Sequence, residues 1–202
     1  MDLKEFKCRC SKIGDIMVNG RGGGLGKTTE SFVKQWMKEQ LYGYQKFVST
    51  KQMEKGHEVE FDAIKYYDNN LDKNEESFEN DYLTGTPDII DGDYIKDIKS
   101  SWDLWTFPLF EDELPTKDYY WQMQGYMALT GRKSAKVIYV LIETPIHLLN
   151  NWTDVDYQYA DKERKLRVKE FIVERNDEDI QKIYDRVKEI RKYVKELHEK
   201  IN

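Results

Sequence analysis

Between Gly85 and Ser101 the chain reads G-T-P-D-I-I-D-G-D-Y-I-K-D-I-K-S-S, a stretch that leaves little freedom in what can be built around it. Asp91-Gly92 is a favoured two-residue turn between β-branched runs, so a β-hairpin is expected, with strands at 86–90 and 93–99. With Asp91 and Gly92 in the turn, Ile90 pairs with Asp93, Ile95 lies opposite Asp88, and Asp97 lies opposite Thr86. Side chains alternate faces along a strand, so Asp88, Asp97 and Lys99 project together. Asp88 and Asp97 become diagonal cross-strand neighbours at roughly 7–8 Å, a gap a divalent cation closes once the side chains lean inward. The hairpin therefore predicts a metal site.

The rest of the chain has to supply a core for it. At 202 residues, 39 % hydrophobic and 35 % charged, the sequence suits one soluble domain. No run approaches the roughly 18 apolar residues of a membrane helix, and the N-terminal M-D-L-K-E-F-K holds no apolar signal segment. A cytoplasmic location without a membrane partner is expected. The two cysteines, Cys8 and Cys10, are too close for an ordinary disulfide and too few for a zinc or iron–sulfur centre, and they read as unpaired thiols in a reducing compartment. In that setting the Asn151-Trp152-Thr153 sequon carries no meaning. Charge is uneven: residues 1–55 hold eleven basic against six acidic side chains, or +5, which leaves −11 of the total −6 for the remainder. Such asymmetry is compatible with a basic surface facing a polyanion and an acidic part that includes a cation site, although mixed charge is also the normal dress of solvated helices.

Gly20 to Thr29, G-R-G-G-G-L-G-K-T-T, imitates a phosphate-binding loop. The pattern requires glycine where Arg21 stands, and no apolar strand precedes it, so the segment reads as a loop with a basic edge leading into a helix. That helix is expected from Thr28 or Thr29 to Gly43, with Phe32, Val33, Trp36, Met37 and Leu41 as its apolar stripe. A second helix is expected from Lys51 to Tyr67. There Glu60, Ala63, Ile64 and Tyr67 share one face, so the Glu60 carboxylate points at the core and needs a partner, either a lysine or a metal. His57 and Glu58 lack the second histidine of a zinc helix, and His57, His147 and His198 form no cluster.

Phe78 to Leu83 reads as a strand ahead of the hairpin. The aromatic run from Trp102 to Phe110, W-D-L-W-T-F-P-L-F, either covers the open end of a sheet or offers a stacking surface for nucleic-acid bases. Lys117 to Thr130 reads as a helix closed by Gly131, with Tyr119, Gln122 and Tyr126 on one face, where they could orient a phosphate or water or simply bond their neighbours. Ala135 to Ile142 is apolar enough for a buried central strand. Residues 146–166 show no clear period, 167–174 read as a strand, and Asp177 opens a long helix whose stripe runs through Ile180, Ile183, Tyr184, Val187, Ile190, Val194, Leu197 and Ile201. A single α/β (α+β) domain over 1–202 is expected: a basic helical part at 1–50, a core at 51–145, and a C-terminal strand and long helix at 146–202.

In this order the residues resemble the PD-(D/E)XK nuclease superfamily, and within it the phage recombination exonucleases related to phage lambda exonuclease. Pro87-Asp88 with Asp97-Ile98-Lys99 matches the signature. Lys55-Gly56-His-Glu-Val-Glu60 matches the K-G-x-x-x-E run, and Gln122-Met-Gln-Gly-Tyr126 matches the Q-x-x-x-Y helix motif. The resemblance spans about residues 45–145. It implies an αβββαβ restriction-endonuclease-like core with a mixed central sheet flanked by helices, and a Mg²⁺-dependent deoxyribonuclease in which Mn²⁺ substitutes. It further implies Asp88, Asp97 and the Ile98 carbonyl as metal ligands, and Glu60 on a second cation or orienting a water. Lys99 would act on the attacking water or the developing charge. Ser100, Ser101, Trp102, Gln122 and Tyr126 would lie along the substrate. The implied activity is resection of double-stranded DNA ends, 5′ to 3′, by a trimeric ring working with a single-strand annealing protein. The alternatives are a structure-specific endonuclease on the same core and a catalytically silent DNA-binding protein.

Overall fold

The structure is a computed structural model that describes residues 4–150 and 154–201, so the Asn151 sequon lies outside the described residues. In chain order the elements are β1 (Cys8–Arg9), α1 (Ile13–Ile16), α2 (Lys27–Tyr42), α3 (Lys51–Glu58), α4 (Glu60–Tyr67), β2 (Phe78–Glu79), β3 (Leu83–Gly85), β4 (Ile89–Asp91), β5 (Tyr94–Ser100), α5 (Lys117–Thr130), β6 (Ser134–Val140), β7 (Val168–Glu174) and α6 (Asp177–Glu199). Short 3₁₀ turns occupy Cys10–Lys12, Ile146–Leu148 and Arg164–Leu166.

The main sheet has the order β4-β5-β6-β7 and is mixed, with β5 and β6 parallel and both outer pairs antiparallel. Strand β5 is buried from Ile95 to Ile98, as an inner strand covered on both faces must be. One face, through Ile95, Ala135, Val137, Tyr139, Phe171 and Val173, packs on Met123 and Met127 of α5, on Ile183, Val187 and Ile190 of α6, and on the N-terminal segment. The other face, through Ile89, Ile98, Ile138 and Val140, packs on Ala63 and Ile64 of α4. The mixed central sheet flanked by helices is thus present, and the long C-terminal helix runs where its apolar period places it. Helix α5 ends at Gly131 in the left-handed region, φ 73°, and α6 starts on the Asn176 side chain, which accepts from the Asp179 N–H at 3.1 Å.

Four features differ from the expected pattern. The hairpin turn is Gly92-Asp93, not Asp91-Gly92, because Asp91 pairs with Tyr94, Ile90 with Ile95 and Ile89 with Lys96. Gly92 alone takes positive φ, 55°, as a II′ turn requires of its first residue. The register is displaced by two residues, and since the pleat also repeats every two, every side chain keeps its face. The strand expected at 78–83 folds back on itself instead. The Asn80 side chain accepts from the Tyr82 and Leu83 N–H groups, both at 2.8 Å, so β2 and β3 form a small separate sheet with β1. The helix expected over 51–67 breaks at Val59, φ −97° and ψ 4°, into α3 and α4. Finally, residues 8–16 form a short strand and helical turns in which Cys8, Cys10, Ile13 and Ile16 are fully buried. Both cysteines are free, and burial pushes their thiols far above the usual range.

The glycine-rich segment is a tight curl, closed by Gly20 N–H to Gly24 O at 3.2 Å and Gly26 N–H to Val18 O at 3.0 Å. Gly23 and Gly24 take φ of 86° and 69°, and Arg186 of α6 donates to the Gly24 carbonyl at 3.1 Å. Gly26 caps α2, and its following Thr29 hydroxyl sits among the carbonyls of Asp15, Ile16 and Val18.

Candidate active site

Continuing the β4–β5 register one step past Ile89 and Lys96 sets Asp88 directly beside Asp97, closer than the diagonal relation read from the sequence. The side chain of Asp88 turns in and its Oδ2 accepts the Ile98 N–H at 3.0 Å. A strand residue points its N–H and C=O to the same edge, so the Ile98 carbonyl leaves on the side where Asp88 stands, past the end of the β4 ladder. Asp97 is 0 % exposed. Its Oδ1 accepts from Gln122 Nε2 at 3.2 Å, and its Oδ2 lies 2.7 Å from Lys99 Nζ. That ammonium sits off the hydrogen-bond direction, so Oδ2 has a Coulombic partner and no in-line donor.

The electrostatics follow from this crowding. The Asp88 carboxyl is pushed up to about 7, first by burial and then by the charge of Asp97. Lys99 is desolvated, yet the two carboxylates overcome that and hold its ammonium well above the ordinary lysine value. Its Nζ also lies 4.6 Å from the centre of the Tyr119 ring, a cation–π contact that fixes where the charge sits. Gln122 and Tyr126 are buried and linked, Gln122 Nε2 to Tyr126 Oη at 3.1 Å, so they brace Asp97 from α5.

Glu60 stands apart. Helix α4 packs on the opposite face of the sheet from Asp97, and Glu60 in its first turn pairs with Lys73 at 2.5 Å. Its charge reaches Asp88 only as the weakest of the influences on that group. Ser100 is half-buried at the end of β5. The Ser101 hydroxyl is buried without a hydrogen-bond partner, and the Trp102 carbonyl accepts from Thr144 Oγ1 at 2.7 Å. Within the aromatic run the rings divide: Phe107 joins the core, while Trp105 and Phe110 are 75 % and 88 % exposed.

Sequence reasoning quoted Lys55 within the K-G-x-x-x-E run and gave it no role of its own. Lys55, 0 % exposed, donates to the carbonyls of Ser101 at 2.6 Å, Trp102 at 2.9 Å and Ile142 at 2.7 Å, and so ties α3 to the ends of the two parallel strands. Burial draws its ammonium down to about 8. A signal was there: Lys55, Val59 and Ala63 recur every four residues on the apolar side of a helix.

Among the described residues no three His, Cys, Asp or Glu side chains gather into a metal cage. An oxygen-seeking divalent cation such as magnesium can be held by one or two carboxylates while it retains waters. The donor set of Asp88, Asp97 and the Ile98 carbonyl is all oxygen, and the buried Asp97 Oδ2 without an in-line donor is what such an ion would satisfy.

No protein-family model and no curated protein sequence matches the chain. Among solved structures it is similar to a phage-related exonuclease from Haemophilus somnus 129PT, 33 % identical over 98 % of each chain, with a TM-score of 0.88. It shares its fold with LHK-Exo, an alkaline exonuclease from Laribacter hongkongensis, at 20 % identity over 96 % of this chain and 93 % of that one, TM-score 0.71. LHK-Exo in complex with dAMP aligns with a TM-score of 0.70 at 21 % identity, over 96 % and 93 % of the two chains.

Proposed function

We propose, from the fact that this chain belongs to the phage-related exonucleases of the PD-(D/E)XK superfamily, that it resects double-stranded DNA ends by Mg²⁺-dependent hydrolysis. It is a nuclease. The observation that carries the finer reading is the joint placement of Asp88, Asp97 and Lys99 on one face, with the Asp97 carboxylate buried and one of its oxygens lacking an in-line donor. Asp88, Asp97 and the Ile98 carbonyl would hold Mg²⁺, with Mn²⁺ as a substitute. Bound there, the ion supplies charge neutralisation at the phosphate and an acidified water.

The side chains do the rest. Lys99, kept cationic by two carboxylates and aimed by Tyr119, orients the attacking water and steadies charge on the leaving oxygen. Gln122 and Tyr126 would hold Asp97 in place, and half-buried Ser100 would contact the phosphate backbone, whereas the Ser101 hydroxyl is buried. Glu60 would orient a water or second cation only after exchanging Lys73 for it.

Digestion from 5′ to 3′, hand-over of the remaining strand to an annealing protein, and a trimeric ring complete the reading. A chain of net charge −6 attracts DNA poorly alone, which favours a channel that sums the basic N-terminal parts of several subunits. Buried, unpaired Cys8 and Cys10 support work in a reducing cytoplasm.

The deciding assay is purified protein with Mg²⁺ on duplexes labelled at the 5′ or the 3′ end, with Asp97→Asn alongside. Release of label from 5′ ends only by the unchanged protein is expected, with loss of cleavage in the variant. Nicking of closed circular DNA at a comparable rate would make it an endonuclease. Cleavage retained in Asp97→Asn would overturn the assignment of the site.

A further inference from the structure

Strand β5 does not end at the catalytic pair. Five residues past Asp97, at roughly 3.3 Å each, the chain reaches Trp102 and a cavity of about 220 Å³. Four aromatic side chains line it, Trp102, Trp105, Tyr157 and Tyr159, together with Asp103 and Asp154. The volume falls below the roughly 300 Å³ at which clefts for whole small molecules begin, so the space suits a single ring system.

The walls are fixed before any ligand arrives. The Trp102 carbonyl is held by the Lys55 ammonium and the Thr144 hydroxyl. Trp105 donates its indole N–H to the Tyr157 hydroxyl at 3.0 Å, and the Leu104 N–H donates to the Tyr159 hydroxyl at 3.0 Å. Tyr159 is anchored in turn, its N–H on Glu143 Oε1 at 2.8 Å. Trp105 is therefore a largely exposed indole locked by its polar edge, with its faces left for stacking. A ring ordered in advance binds without the entropy cost of ordering it.

The lining also says what the ligand is not. No lysine or arginine is among the described lining residues, and two carboxylates are. A phosphate would be repelled. A nucleobase meets both demands: its π-face stacks on indole, and its exocyclic amines are attracted by carboxylates.

We propose that this cavity is a nucleobase subsite, which takes one unpaired base of the DNA strand a few nucleotides from the bond being cut. The proposal rests on the nuclease reading for the identity of the polymer, and on the cavity for everything else. An end-resecting enzyme leaves unpaired bases near its cleavage site, and a pocket just past the end of the strand that carries Asp97 and Lys99 is placed to receive one.

The test uses the full-length protein in EDTA, so that no cleavage occurs, with a labelled single-stranded oligonucleotide and its abasic counterpart of equal length and charge. Fluorescence anisotropy at fixed salt gives both affinities for the unchanged protein, Trp105→Ala and Trp105→Phe. The intact oligonucleotide should bind the unchanged protein roughly 5- to 100-fold more tightly than the abasic one, the range of one stacked base. Trp105→Ala should lose that preference without weakening abasic binding, and Trp105→Phe should recover most of it. Equal binding of intact and abasic strands by the unchanged protein overturns the proposal, as does a preference that survives in Trp105→Ala. If Trp105→Ala fails to fold, as read by circular dichroism, Trp105→Phe and the abasic comparison still decide. Failure of the nuclease reading would appear separately, as absent cleavage with Mg²⁺ by a protein that still prefers the intact strand.

Discussion

Asp88 holds its proton up to about pH 7 in the folded chain, against an ordinary value of 3.8. Between those values the folded state binds more protons than the unfolded chain does. This group therefore makes metal-free stability fall as pH rises from about 4 to about 7, with no further loss above. A divalent cation needs the carboxylate ionised, so it must displace that proton. Titration of Mg²⁺ at pH 6 in buffers of different ionisation enthalpy should show proton release, and the release should shrink at pH 8. Gln122→Leu removes the one neutral donor on Asp97 and leaves the Tyr126 hydroxyl without its partner. It should cost about 1–3 kcal/mol in denaturant unfolding and lower kcat far more than it changes KM, since the acid is displaced and the substrate is not. The acids and the lysine were legible because a two-residue slip of the hairpin leaves the faces alone. The partners of Glu60 and Lys55 were not, since Lys73 lies in an irregular stretch and the three carbonyls are 46, 47 and 87 residues away from Lys55.

At the level of elements, α5 lies against the N-terminal segment through Gly125. A Cβ there would meet Ile13 Cδ1 at 2.4 Å and Cys10 Sγ at 2.9 Å. Gly125→Ala should therefore destabilise by about 1–3 kcal/mol, as overpacking does, and lower Tm by roughly 2–4 °C for each of those kcal/mol. The same crowding explains why residues 8–16 read poorly in advance: their order comes from α5 and α6, not from local propensity. Helices α2 and α6 were readable because each carries a sustained apolar period and a clear end, Gly43 and Asn176, whereas α5, buried all round from Gln122 to Met127, was marked by its closing Gly131. The break at Val59 has no such mark. It lets α3 send Lys55 to the strand ends while α4 lies along the sheet face, a division of labour that tertiary contacts impose on one continuous helical pattern.

For the whole molecule, the ring proposed around DNA predicts a particle of three times 24.2 kDa in sedimentation equilibrium at low micromolar protein. A monomer that resects processively would refute the ring. Fold class was open to sequence reading because alternation, helical period and element order agree with one another, whereas subunit number leaves no trace in one chain's pattern. Lys55 carries a last consequence that lies outside structure and catalysis. An ammonium enclosed by three carbonyls is out of reach of an amine-acylating reagent while the walls around it stay shut. Its labelling, followed residue by residue by mass spectrometry, would run as a clock of local opening, slow against the exposed lysines of α6. DNA held across the proposed site should slow that clock further, so a single buried amine would time how often the wall behind β5 gives way.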